Sequence, residues 1–443
     1  MMLIGAFIDK LFAEAEKRGI AEYQAVYSES ESFDLQLFRQ KIDRQSGSRS
    51  CGLTFAVRIN GKIGRFYSEC FAERDIPLIV SEAAGNAANM ECEENFFFYD
   101  GQGAYETVRP YCPDTEWLGR LDKAAFLAEL ERKAYAADSR VSNVVSVSYH
   151  ERFSRRIMRN SLGLDLQSER KTARAGLWLS ATDGHSVKSG GYAVMFDKPE
   201  DFETDTIVSR AVEDAVSRLN AEDTVSGKMP VVFKNTAFAD FMEAISGIFC
   251  AYEADSDKSR LKGKTGMPVA SSKLTLIDDP LLDGGYATAA FDDEGVPAKY
   301  KEIIKDGVLK TFLFGLSMAD KYKCASTGNG TGGLASRIFN YYVKPGDKDA
   351  DRLFEEMGSG ICVDRLNGLG VAVDTVSGNL SVAAEGFLVR NGKKAAALNQ
   401  FTIACNIYDV LKNIREVGND LTFYCSSSGS PSVLVDGITV AGA

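Results

Sequence analysis

Histidine is scarce here: the 443-residue chain carries two, His150 in VSYHERF and His185 in DGHSV. Nucleophilic and metal catalysis through imidazole needs a nucleophile or further ligands held beside the ring. Nothing in the sequence ties either histidine to such a partner, and they read as a strand residue and a turn residue. Cysteine occurs nine times, at 51, 70, 92, 112, 250, 324, 362, 405 and 425, and always singly. The absence of any CxxC excludes a zinc ribbon or a redox motif of that kind. An odd count without a secretory leader predicts a reduced, cytoplasmic protein. Basic charge is also short: 51 Lys and Arg against 62 Asp and Glu leave a net −11. That balance argues against binding along a nucleic-acid backbone. Two basic stretches, RFSRRIMR (152–159) and ERKTAR (169–174), interleave with apolar residues like solvated faces of strands. No apolar run is long enough to span a bilayer, so no membrane partner is expected.

Glycine, in contrast, is plentiful. Forty glycines against ten prolines predict many tight turns and a β-rich chain. The N-terminal segment repeats Leu3, Ile4, Phe7, Ile8, Leu11 and Phe12 at helical spacing up to a stop at Gly19. Extended segments follow, with Asn60-Gly61 as a hairpin turn. Helices are predicted at 77–91, 121–138 and 201–220, with strands from VSNVVSVSYHERF to GGYAVMF between the last two. The polar stretch NAEDTVSGKMP (220–230) is the predicted boundary. It divides an N-terminal mixed α/β domain (1–222) from a C-terminal domain (228–443) that is mostly antiparallel β, barrel- or sandwich-like. The fold class is α+β. In the second half, Asp306-Gly307 and Asn391-Gly392 mark hairpins, and helices are predicted at 236–250, SMADKY, ADRLFEEM and IYDVLKNIREV.

Two glycine motifs fail their context tests. GNGTGG (328–333) satisfies G-x-G-x-x-G through Gly328, Gly330 and Gly333, but no buried strand precedes it and no helix follows. It reads as a glycine loop that admits a ligand backbone, or as a plain wide turn. GKT (263–265) lacks the glycine five residues earlier that a phosphate loop requires, since Lys258 stands there. The helix around FMEAISGIF (241–249) places Phe238, Phe241, Met242, Ile245, Ile248 and Phe249 on one face. On physical grounds alone it is a core-packing helix with Glu243 facing water.

A series of blocks in one order gives that helix another meaning. VASSKLTLIDDP (269–280), TGNGT (327–331), FNYYVKPGD, VSGNLSVAAEGFLVRNG (376–392), NQFTIACN (399–406), NIREVGNDL (413–421) and PSVLVDGITVAG together resemble the TldD/PmbA family. That family is also called TldD/TldE or "modulator of DNA gyrase". TldD-like members carry H-E-x-x-x-H on this helix, two histidines for a metal and a glutamate as general base. Here those places hold Met242, Glu243 and Gly247. A thioether is a poor zinc ligand and glycine offers none. The resemblance is therefore to the PmbA/TldE-like branch. It implies a non-catalytic subunit, without a cofactor of its own, beside a TldD-like, zinc-bearing metallopeptidase partner that cleaves unfolded or extended peptides. Gly328, Gly330, Gly333, Ser377 and Gly378 are the candidate peptide-contacting residues. Cys425, near the place of a further family ligand, is a weak metal candidate. The alternative is a homodimeric, non-catalytic peptide- or protein-binding scaffold. A third reading, a hydrolase site rebuilt from Glu243, Cys425 and acids such as Asp255 or Asp257, lacks the three ordered ligands such a site needs.

Overall fold

The computed structural model describes residues 4–91, 95–197 and 199–442; Leu3 and Cys92 lie outside them. The chain opens with helix α1 (Ile4–Lys17), whose Phe7, Ile8 and Leu11 are fully buried, as the helical spacing predicts. Strands β1 (Glu22–Phe38), β2 (Lys41–Ile59) and β3 (Lys62–Ser68) follow as a meander. Asn60 and Gly61 both have positive φ at the β2–β3 turn, which a twisted two-residue hairpin demands. Helices α2 (Ile76–Ala88), α3 (Thr115–Arg120) and α4 (Lys123–Ala137) lead to the long strands β4 (Val141–Asn160), β5 (Asp165–Thr182) and β6 (Val187–Met195), closed by α5 (Thr204–Val216). Asp114 and Asp122 cap α3 and α4 by accepting the Trp117 and Ala125 backbone N–H groups.

These six strands form one antiparallel sheet in the order β3-β2-β1-β4-β5-β6. One face is covered by helices in two patches. Phe55 and Val57 of β2 pack with α1 and α2, while Tyr149 of β4 and Leu177 and Leu179 of β5 pack with α4 and α5.

The second half begins at β7 (Gly227–Phe233), followed by α6 (Asn235–Ala244) and the short α7 (Ala251–Asp255). Then come β8 (Leu276–Asp278), β9 (Lys301–Lys305), β10 (Val308–Leu309), α8 (Leu316–Tyr322) and β11 (Tyr341–Val343). The remainder comprises α9 (Ala350–Met357), β12 (Gly360–Asn367), α10 (Leu369–Ala372), β13 (Asn379–Arg390), β14 (Lys393–Asn406), α11 (Ile407–Lys412), β15 (Ile414–Val417), β16 (Ser428–Gly429) and β17 (Val433–Ala441). One sheet runs β14-β13-β12-β7-β17-β15, and β14 also pairs with β17, closing five of its strands into a barrel. The other runs β10-β9-β8-β11-β16. A single apolar core joins the inner face of the barrel to α6 and the smaller sheet. The fold is α+β with an antiparallel-rich barrel in its second half.

Several predicted helices run too long: that at 201–220 is α-helical only over Thr204–Val216, and that at 77–91 ends at Ala88. The 236–250 helix stops at Ala244 and continues as a 3-10 turn over Ser246–Phe249, because Ser246-Gly247 is a poor helix interior. IYDVLKNIREV is helical only to Lys412; its β-branched and apolar remainder pairs with β17 as β15.

Candidate functional site

Helix α6 presents opposite chemistries on its two sides. Met242 is 1% exposed and packs with Phe238, Phe241 and Ile245 in the core. Glu243 is exposed and accepts a hydrogen bond from Ser426 Oγ at 3.2 Å. One turn earlier stands Asp240, whose carboxyl is pushed up to about 6 by desolvation and then by the Glu243 charge. Gly247 lies past the helix end, in the 3-10 turn, with open space where a side chain would point.

Cys425 is adjacent in sequence to the residue that binds Glu243. Its backbone is left-handed (φ 51°) and burial raises its thiol, the reverse of what a thiolate ligand needs. Its neighbour Tyr424 reaches the first-half sheet, where Tyr424 Oη accepts the Ala193 backbone N–H at 2.8 Å and the ring lies 5.7 Å from that of Tyr192. Asp255 is engaged by Lys321 and Tyr322, and Asp257 by Lys262. His150 is bound to Asp34 at 2.5 Å on the first-half sheet, and His185 sits in the β5–β6 turn. Among the described residues no three of His, Cys, Asp and Glu gather as metal ligands would.

The glycine loop wraps two carboxylates. The Gly330 backbone N–H donates to Asp292 Oδ2 at 2.6 Å, and Glu294 accepts the Leu316 N–H at 2.7 Å. Burial and then the Asp292 charge push Glu294 up to about 8; burial pushes Asp292 up to about 6. A Cβ on Gly330 would stand 2.0 Å from Glu294 Oε2, and one on Gly328 2.5 Å from the Pro297 carbonyl oxygen. Both glycines are buried, so close packing accounts for their identity; a Cβ on Gly333 would meet only Thr331 Oγ1, at 3.9 Å. Ser377 and Gly378 form a separate turn, with Ser377 Oγ donating to Asp374 at 2.6 Å. Among the described residues no hydrogen bond joins that turn to the glycine loop.

The basic stretches 152–159 and 169–174 lie in β4 and β5, as solvated faces of strands, and contribute to a polar surface on the open face of the first-half sheet. Register places Asp34, His150 and Arg174 side by side, then Ser32, Arg152 and Thr172, then Ser30, Ser154 and Arg170, then Ser28, Arg156 and Ser168. The β2 residues Ser46, Ser48 and Ser50 extend the first three rows. Directly paired residues share a face, so arginines and serines carpet one side. The 287–293 loop and Arg337 roof this face and enclose a cavity of about 600 Å³; one of about 460 Å³ adjoins it at Arg152, Ser154 and Arg170. The signal was there in period two: serines at 28, 30 and 32 and at 46, 48 and 50, and arginines at 170 and 174. What was missing was the roof, which comes from residues more than a hundred positions later.

The chain is thus a two-part molecule: an antiparallel sheet with one helix-covered face, followed by a β-barrel whose core includes the Glu243-bearing helix. Profiles of the PmbA/TldA metallopeptidase central and C-terminal domains match residues 118–219 and 226–442. A "Metalloprotease" of Methanothermobacter thermautotrophicus is 30% identical over 420 residues, covering 90% of this chain and 88% of that one. The "Metalloprotease PmbA" of Escherichia coli is 29% identical over 71% of this chain and 68% of its own length. A Thermotoga maritima protein solved under the description of a DNA gyrase modulator superposes with a TM-score of 0.92 at 32% identity, over 99% of this chain and 100% of that one. TldE of Thermococcus kodakarensis shares the fold, with a TM-score of 0.85 at 22% identity over 98% and 100% of the two chains. The chain belongs to the PmbA/TldD family.

The family's name implies a metal, and the residues at its motif helix do not fit one. A methionine sealed in the core cannot turn toward Glu243 without vacating its packing, and Gly247 has no donor atom.

Proposed function

We propose that this chain is the metal-free subunit of a two-subunit metallopeptidase that cleaves unfolded or extended peptides. It shapes the peptide path while a TldD-like partner holds zinc and supplies the attacking water. The observation that carries the reading is the divided α6: Met242 is committed to the core and Gly247 is empty, yet Glu243 stays exposed beside Ser426. A cytoplasmic location belongs to the same reading; among the described residues no helix is long and apolar enough to cross a membrane.

Mixing this chain with its cognate HExxxH-bearing relative tests the reading. The expected result is a joint species on size exclusion and cleavage of an unfolded peptide that neither chain performs alone. Two chains that elute separately, with this one as a homodimer that leaves peptides intact, would overturn it in favour of a scaffold.

A further inference from the structure

The open face of the first-half sheet is electrostatically unfinished. Arg156 and Arg337 are paired to Asp293 and Arg155 lies by Glu169, but Arg152, Arg170 and Arg174 meet no carboxylate within salt-bridge distance among the described residues. This is unusual in a chain with eleven more acidic than basic residues. Arg170 is crowded as well: desolvation, then the charges of Arg337 and Arg152, lower its pKa. Glu29, Glu169, Asp292 and Asp293 also line the larger cavity, but among the described residues the smaller one at Arg152 and Arg170 is lined by no carboxylate, and unpaired positive charge in a concavity raises the local concentration of an anion.

Geometry gives the anion a direction. The cavities at Arg152 and Arg170 run along β4 and β5 toward a third, of about 220 Å³, lined by Ser148, Arg174 and Tyr424. Tyr424 lies two residues from Ser426, which binds Glu243. The face therefore leads from the roofed cavity to the 424–426 segment, which contacts the motif helix through Ser426. Arg170 and Arg174 are four residues apart on one strand, about 13 Å, the rise of four residues of an extended peptide. Guanidinium forks bind planar carboxylates through two parallel hydrogen bonds, and the intervening serine hydroxyls both donate and accept, as a peptide backbone requires. A nucleic-acid strand is disfavoured, because its many phosphates would meet three arginines and an otherwise acidic molecule.

We infer that Arg152, Arg170 and Arg174 form a carboxylate-binding track that selects extended peptides bearing Asp or Glu side chains or a free C-terminal carboxylate. The inference rests on the peptide-handling reading above and adds the substrate class. The test is fluorescence anisotropy on the full chain alone with labelled, unfolded peptides of about twelve residues. One carries Asp and Glu with an amidated C-terminus, one has Asn and Gln with a free C-terminus, and one has Asn and Gln with an amidated C-terminus. A single-stranded oligonucleotide of equal length serves as competitor. The expected result is binding of one or both carboxylate-bearing peptides, identifying the source, with the neutral amidated peptide at least about tenfold weaker. Arg152→Gln with Arg170→Gln should abolish that preference, and Arg170→Glu should weaken it more than Arg170→Gln does. Equal binding of all peptides, no binding of any, an unchanged preference in the variants, or displacement by the oligonucleotide would overturn the inference. The outcomes separate from those of the mixing experiment. Carboxylate-selective binding without complex formation defeats only the subunit reading, whereas cleavage by the mixture without carboxylate preference defeats only the track.

Discussion

Glu243 stands where the family resemblance would place a general base, but its neighbours Met242 and Gly247 offer no imidazole. Its carboxylate is held by Ser426, a residue 183 positions away, and not by a metal-bound water. Replacing it by glutamine should therefore leave the peptidase rate of the mixed complex within about twofold. Loss of a working general base costs on the order of a hundredfold or more. Steady-state cleavage by complexes carrying either version of this chain checks the difference. The identities at 242 and 247 were readable directly, because they need only the sequence. The contact of Glu243 with the 425–428 segment was not, because it depends on how two distant segments pack beneath α6.

At the scale of elements, the glycine loop and the two carboxylates it encloses are one unit. Gly330→Ala should destabilise the fold by about 1–3 kcal/mol, since the new methyl overlaps the Glu294 carboxylate in a packed site; a shift in urea midpoint measures it. The same unit sets a pH dependence. Burial, with the Asp292 charge adding and the nearby Arg65 charge opposing, raises Glu294 from its ordinary 4.5 to about 8, so folding takes up a proton there. The stabilisation is fully present below about pH 4.5 and is lost as pH rises through about 8. Thermal melts should show a Tm that falls from pH 5 to 8, a slope that Glu294→Gln flattens. Local rules read the elements well where local chemistry decides: Asn60-Gly61, Asp306-Gly307 and Asn391-Gly392 all adopt the paired positive φ that their hairpins need. They failed where tertiary pairing decides, as at Ile414–Val417, which β17 draws out of the predicted helix.

At the scale of the molecule, the two halves are joined by a partly buried ion network. Arg218, beyond the end of α5, binds Asp214, Asp364 of β12 and Glu385 of β13, and Arg365 completes it. With the Arg218 side chain 7% and the Asp364 side chain 9% exposed, Arg218→Met would strand carboxylates in a low-dielectric seam. The expected cost is about 3 kcal/mol, read from urea unfolding. No sequence pattern announced this seam, nor the closure of β14 on β17, because both pair residues far apart in the chain.

If the chain works without a metal of its own, it should carry none when purified alone, and elemental mass spectrometry of the chain expressed without a chelating tag measures this. The prediction is only trace transition metal on the isolated chain, with metal in the mixed complex matching the partner's content alone. About one transition metal per copy of the isolated chain would overturn the metal-free reading and point to a rebuilt site beside Glu243 and Cys425.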